Sequence, residues 1–218
     1  TLDINEGVAA RIKQIKIVGA QAFKEGDLLD EFAQTDSGWL TWLTRDDQYS
    51  KQKLQGDLER LRSYYLNRGY FEFNIDSTQV SISPDKRDVY ITINVNEGQK
   101  YTVSDVRFAG DLTVPEATLK PLVQIKPGDT FTREKVNDSV TAITDLLGNS
   151  GYAFANVNAV PEVDKEKRLV AFTFFVDPGR RVYVRRINVA GNTRTRDEVV
   201  RREMRQMESG WYDNQKIK

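Results

Sequence analysis

The sequence predicts an α+β fold made of tandem β-α-α-β-β modules. Each module is expected to hold a three-stranded mixed sheet, with its last strand central, covered by two helices. Three observations predict it. A strand signature of two alternate apolar residues followed by glycine occurs at Ile15-Ile17-Gly19, Val106-Phe108-Gly110 and Ile187-Val189-Gly191. A second glycine marker precedes each strand, in "NEG" ending at Gly7, "NEG" ending at Gly98 and "DPG" ending at Gly179, and both marker sets are spaced 91 and 81 residues apart. A helical stripe, Leu54-Leu58-Leu61-Tyr65, returns 82 residues later as Val136-Val140-Ile143-Leu147. Self-similarity at a fixed period is the mark of a repeated structural unit.

The elements follow in order. The strand signature opens each unit, because alternation at period two places apolar side chains on one face. Ile12, Val103 and Val184 lie an odd offset from Ile15, Val106 and Ile187. They should therefore point to the other face, either toward the preceding module or simply to solvent. A short helix is expected near 25–33 and again near 115–123, with Pro115 at a first helical position. The long helix carries the i, i+4, i+7, i+11 stripe. Ser50 and Thr132 are its predicted N-caps. Gly69 and Gly151 can end it in the left-handed conformation. A hairpin closes each unit, 70–82 with 88–95 and 152–160 with 168–176. "VYITINV" and "LVAFTFFV" are the most apolar strands, as a central strand covered by helices should be.

The repeat sets the domain boundaries. Residues 1–7 align with the final strand of a preceding module. Residues 8–97 and 98–178 are whole modules, and 179–218 supply a first strand and first helix. The first unit holds about nine extra residues between Gly19 and Gly69.

Composition narrows the chemistry. The chain has no cysteine and no histidine, which excludes disulfides, thiolate nucleophiles and imidazole bases. No cofactor or metal site and no catalytic residue is predicted. The longest apolar run, 169–176, falls short of the roughly 20 residues a membrane helix needs. Net charge is zero overall, but residues 180–218 carry +6.

Three segments are candidate binding sites. The middle strand of the first unit should be an edge, with free backbone groups that an incoming strand can satisfy. Its predicted residues are Tyr70, Phe71, Glu72, Phe73, Asn74, Ile75, Asp76, Thr78 and Val80, and the apolar register slips between Ile75 and Val80, which indicates a bulge. The inserted loop holds Trp39 and Trp42, either as a partner surface or as a lid on the module's own core. Nine arginines lie between 180 and 205. Nucleic-acid recognition needs more than charge, and its accompanying motifs are missing. A solvated face, or docking to an acidic protein or anionic headgroups, is expected instead. The strand near 182–190 lacks an in-module neighbour and should seek an open edge.

"GDLERLRSYYLNRGY" at 56–70 and "RREMRQME" at 201–208 are specific. With the repeat, they resemble the POTRA domains of outer-membrane β-barrel assembly factors. The resemblance covers nearly the whole chain. It implies that 8–97 is a third POTRA domain, 98–178 a fourth and 179–218 the start of a fifth. It further implies a periplasmic scaffold that binds unfolded outer-membrane β-barrel proteins, precedes a C-terminal membrane barrel and docks accessory lipoproteins. Arg202, Glu203 and Arg205 would lie in that docking contact. Another transporter of the superfamily, as in two-partner secretion, or a structural spacer is the alternative.

Overall fold

The structure is a computed structural model that describes residues 11–33 and 49–217. The expected strand at 1–7 and the pair Trp39 and Trp42 lie outside the described residues. The chain divides into two compact units, Thr1–Tyr101 and Thr102–Lys218.

The first unit runs β1 (Arg11–Val18), α1 (Glu25–Leu29), α2 (Lys51–Leu66), β2 (Asn74–Ile82) and β3 (Asp88–Asn96). The sheet order is β1-β3-β2. β1 runs parallel to β3, and β2 runs antiparallel to it. The last strand is therefore central, as the apolar pattern of 89–95 requires. Its inward residues Val89, Ile91, Ile93 and Val95 are buried with Ile12, Ile15, Ile17, Leu54, Leu61 and Tyr65.

The second unit repeats this plan with β4 (Thr102–Gly110), α3 (Glu116–Leu119), α4 (Arg133–Asn149), β5 (Asn156–Asp164) and β6 (Leu169–Asp177), in sheet order β4-β6-β5. A single 3-10 turn, Lys120–Leu122, extends α3. Pro115 is the residue before the helix rather than its first residue. Its extended ψ of 138° turns the chain into α3.

The predicted helix boundaries hold at both ends of α2. The Ser50 side chain accepts a hydrogen bond from the Lys53 amide. Thr132 occupies the same place before α4, but its hydroxyl donates to the Thr130 carbonyl and makes no cap bond. Gly69 and Gly151 both take positive φ, 101° and 99°. Each long helix buries one polar residue at the same repeat position. Asp57 accepts from the Ala33 amide at 2.7 Å, and Ser139 accepts from the Gln124 amide at 2.9 Å. Each ties the chain that follows the short helix to the long one.

Contrary to their odd offset, Ile12 and Val103 do not face away from the core. β1 shifts register between Ile12 and Gln14, and β4 shifts between Val103 and Asp105. One extra residue, Lys13 or Ser104, turns the strand over by one position. Ile12 and Val103 thus return to the core face and are 0% and 1% exposed. Both serve the core of their own module.

The third segment also departs from expectation. The strand expected near 182–190 is only β7 (Tyr183–Val184), paired antiparallel with β8 (Gly210–Trp211). In the whole modules the first strand gains its length from a parallel central strand. Among the described residues no strand pairs with 185–190. The segment continues through α5 (Asp197–Glu203) to α6 (Asn214–Ile217). α6 occupies the repeat position of the first turn of α4. The segment therefore proceeds two elements, β8 and α6, beyond its predicted first strand and first helix.

Candidate docking edge

β2 is a margin of its sheet, and among the described residues its ladder is made with β3 alone. Its register breaks between Ile75 and Ser77, where Asp76 is the extra residue. This is the bulge that the slipped apolar pattern predicts. From Ser77 to Ile82 the pairing is regular. The Ser83 amide donates to the Asp88 carbonyl, so residue 83 faces β3. Antiparallel alternation then turns Ser81, Gln79 and Ser77 toward β3 and directs the backbone N–H and C=O groups of Ile82, Val80 and Thr78 outward.

Side chains at these outward-facing positions share the core face. Three cross-strand rows result: Ile12–Val89–Ile82, Ile15–Ile91–Val80 and Ile17–Ile93–Thr78. The first two rows are buried at β1 and β3 but reach solvent at β2, where Val80 is 37% and Ile82 56% exposed. The opposite face is polar. Asn94 Nδ2 donates to Ser77 Oγ at 2.8 Å.

Four predicted edge residues are not on the edge. Tyr70, Phe71, Glu72 and Phe73 form the turn between α2 and β2. The Tyr70 amide donates to the Tyr65 carbonyl, and the Phe73 amide donates to the Tyr70 carbonyl. The apolar alternation that suggested a longer strand serves packing instead. Phe73 stacks on Tyr65 at 4.1 Å between ring centres, and Tyr70 meets Tyr65 and Phe23 edge-on. Glu72 accepts a hydrogen bond from the Tyr101 hydroxyl, and the Tyr101 ring lies against Phe71. Asn74, Ile75, Asp76, Thr78 and Val80 do lie on β2. Ile82, where the predicted strand 70–82 ends, is also the last residue of β2.

The other margins differ. On β1 the Ile17 amide donates to Glu25 Oε1 at 2.9 Å. On β4 the Val103 amide and carbonyl are bonded to Asp129 and Gly128, and Thr102 bridges Thr130. Among the described residues β5 pairs with β6 alone, but it carries Pro161 near its centre, in register with Phe172. A proline in an edge strand fits where its nitrogen faces away from the ladder, so this margin lacks one outward donor.

The basic segment separates into structural and exposed arginines. Arg201 reaches Asp197 Oδ2 at 2.6 Å, Glu208 Oε1 at 2.7 Å and the Ile187 carbonyl at 2.6 Å. The Glu208 carboxyl also accepts from the Ile187 amide, which, with Arg201, holds it below its usual range. Arg202, Glu203 and Arg205 are exposed. The first two face each other at 3.5 Å. A groove of about 580 Å³ beside them is lined by Glu203, Arg205 and the apolar Val184, Ile187, Met204 and Ile217. Among the described residues no helix is long and apolar enough to cross a membrane.

Comparison with known proteins agrees with the repeat. The POTRA profile, described as "Surface antigen variable number repeat", matches residues 10–98, 101–179 and 182–218. The outer membrane protein assembly factor BamA of Neisseria meningitidis serogroup B is 38% identical over 217 residues, 99% of this chain and 27% of that protein. Its counterpart in Buchnera aphidicola is 38% identical over 215 residues, 98% of this chain and 34% of that protein. The chain thus spans about a quarter to a third of the curated relatives it matches. A crystal structure of Haemophilus influenzae BamA POTRA3-5 superposes with a TM-score of 0.85 at 33% identity, covering 100% of this chain and 85% of that one. With its repeat, strand order and end-to-end match in accord, the chain belongs to the POTRA family, in the form found in the outer-membrane assembly factor BamA.

Proposed function

We propose that this chain is a periplasmic scaffold that captures unfolded outer-membrane β-barrel proteins by β-augmentation on β2. In this reading 8–97 and 98–178 are whole modules, and 179–218 opens a third. A membrane barrel follows in the same polypeptide. Accessory lipoproteins dock on the exposed Arg202, Glu203 and Arg205, beside the groove of the third segment. The role is binding, with no catalytic step.

One observation carries the reading. β2 leaves the backbone groups of Thr78, Val80 and Ile82 directed away from β3, its one partner strand among the described residues. Main-chain pairing supplies affinity with little dependence on guest sequence, which suits a protein that handles many clients. Proline at Thr78 removes one outward donor and leaves the ladder to β3 intact. Thr78→Pro should therefore keep the native circular dichroism spectrum while photo-crosslinking of a client from β2 falls severalfold. Unchanged crosslinking would favour the spacer reading.

A further inference from the structure

The β2 margin presents a core layer that ends abruptly at its open side. Its two apolar rows, Ile12–Val89–Ile82 and Ile15–Ile91–Val80, run from full burial to solvent in three strands. Ser77, Gln79 and Ser81 line the other face of the same strand. Resting on the capture reading above, we propose that Val80 and Ile82 make this margin selective for strands whose apolar side chains recur at every second position.

Strand register sets this selectivity. A guest strand paired beside β2 brings its own side chains directly opposite those of β2, alternately on each face. Two guest residues spaced by two then extend the rows ending at Val80 and Ile82. The residues between them meet Ser77, Gln79 and Ser81. An apolar residue on that second face gains little burial, and a polar residue on the first face leaves the rows exposed. The bulge at Asp76 ends the regular ladder on one side, and Ser83 begins the hairpin turn on the other. The readable window is thus Ser77–Ile82. Strands of membrane barrels alternate apolar and polar residues at this period, whereas helical segments do not. On β5 the corresponding rows end at Pro161 and Val163, and Pro161 lacks the outward amide that Val80 keeps, so a guest strand loses a main-chain bond there.

Two peptides of equal composition test this. One is an eight-residue strand alternating valine and threonine, and the other places the same valines and threonines in blocks. Each is titrated into the whole chain, with backbone amide shifts of β2 as the readout. The alternating peptide should bind about tenfold more tightly, from added apolar burial at two positions. Val80→Ser combined with Ile82→Ser should erase the preference while leaving weak pairing. Thr78→Val adds a third apolar row and should widen the preference. Equal binding of both peptides to β2 would overturn the selectivity alone. Binding of neither at β2 would overturn capture itself.

Discussion

The Tyr65 hydroxyl donates a 2.7 Å hydrogen bond to Glu97 Oε1. Tyr65 is fully buried on α2, and Glu97 is the acid of the second "NEG" marker. The same carboxylate accepts from the amides of Gln21 and Ala22. One side chain thus joins the helix, the end of the central strand and the turn after β1. In the second unit these repeat positions are Leu147 and Pro178. Both members of the pair are replaced by apolar residues there, which leaves neither group unsatisfied.

Tyr65→Phe should cost the first module about 1.5–3 kcal/mol, the range for a hydrogen bond to a charged acceptor. A double-mutant cycle with Glu97→Gln, read by urea unfolding, should return a coupling of about 1 kcal/mol. Independent effects would show that the bond contributes no shared stability.

The same site sets an alkaline limit. Burial first, and the Glu97 contact second, push the Tyr65 hydroxyl above its ordinary value of 10.0. The raised value means that the folded state keeps a proton the unfolded chain releases. Its contribution is complete below pH 10.0 and declines as pH rises beyond it. Thermal melts from pH 8 to about 11 should fall more steeply in the parent than in Tyr65→Phe.

Ile12→Ala and Val103→Ala should behave as core truncations, each costing about 2–4 kcal/mol by chemical denaturation. Costs near zero would return these residues to an outward-facing role.

Glycine substitutions should differ between repeats. A Cβ on Gly19 would lie 2.2 Å from the Val95 carbonyl oxygen, and one on Gly110 would lie 2.2 Å from that of Val176. Gly191 has a φ of +82° but nothing within 4 Å of its Cβ position. Gly19→Ala and Gly110→Ala should each cost more than ~2 kcal/mol through clash and strain together. Gly191→Ala should cost about 1 kcal/mol from the backbone alone. The comparison is by thermal denaturation.

Arg201→Ala and Glu203→Lys should separate folding from docking. Loss of Arg201 removes three contacts and should increase amide exchange across 185–208. The Arg201–Glu208 pair depends on an ionised carboxylate, so its contribution is present above Glu208's ordinary value of 4.5 and fades as pH falls through its depressed folded value. Glu203→Lys should leave exchange unchanged and weaken pull-down of an accessory lipoprotein.

The module is legible in local sequence patterns. Periods of two and 3.6, together with the glycine markers, located the strands, the long helices and their ends. Apolarity of 89–95 and 169–176 placed the last strand at the centre. These are local signals, and each residue carries its own share. The slip between Ile75 and Val80 also betrayed a bulge, because an extra residue changes parity within one strand. The bulges at Lys13 and Ser104 had no such reading, since the face of Ile12 depends on pairing with Val89 across the sheet. Tyr70 to Phe73 alternated like a strand, but aromatic packing on Tyr65 and Phe23 held them in a turn. Which margin stays open was likewise a tertiary decision. β1 and β2 are both edges by topology, and only the fold brings Glu25 to Ile17 while leaving Thr78, Val80 and Ile82 facing outward. Hydrogen-bond capacity is present in every strand, whereas its satisfaction depends on what the folded chain brings beside it.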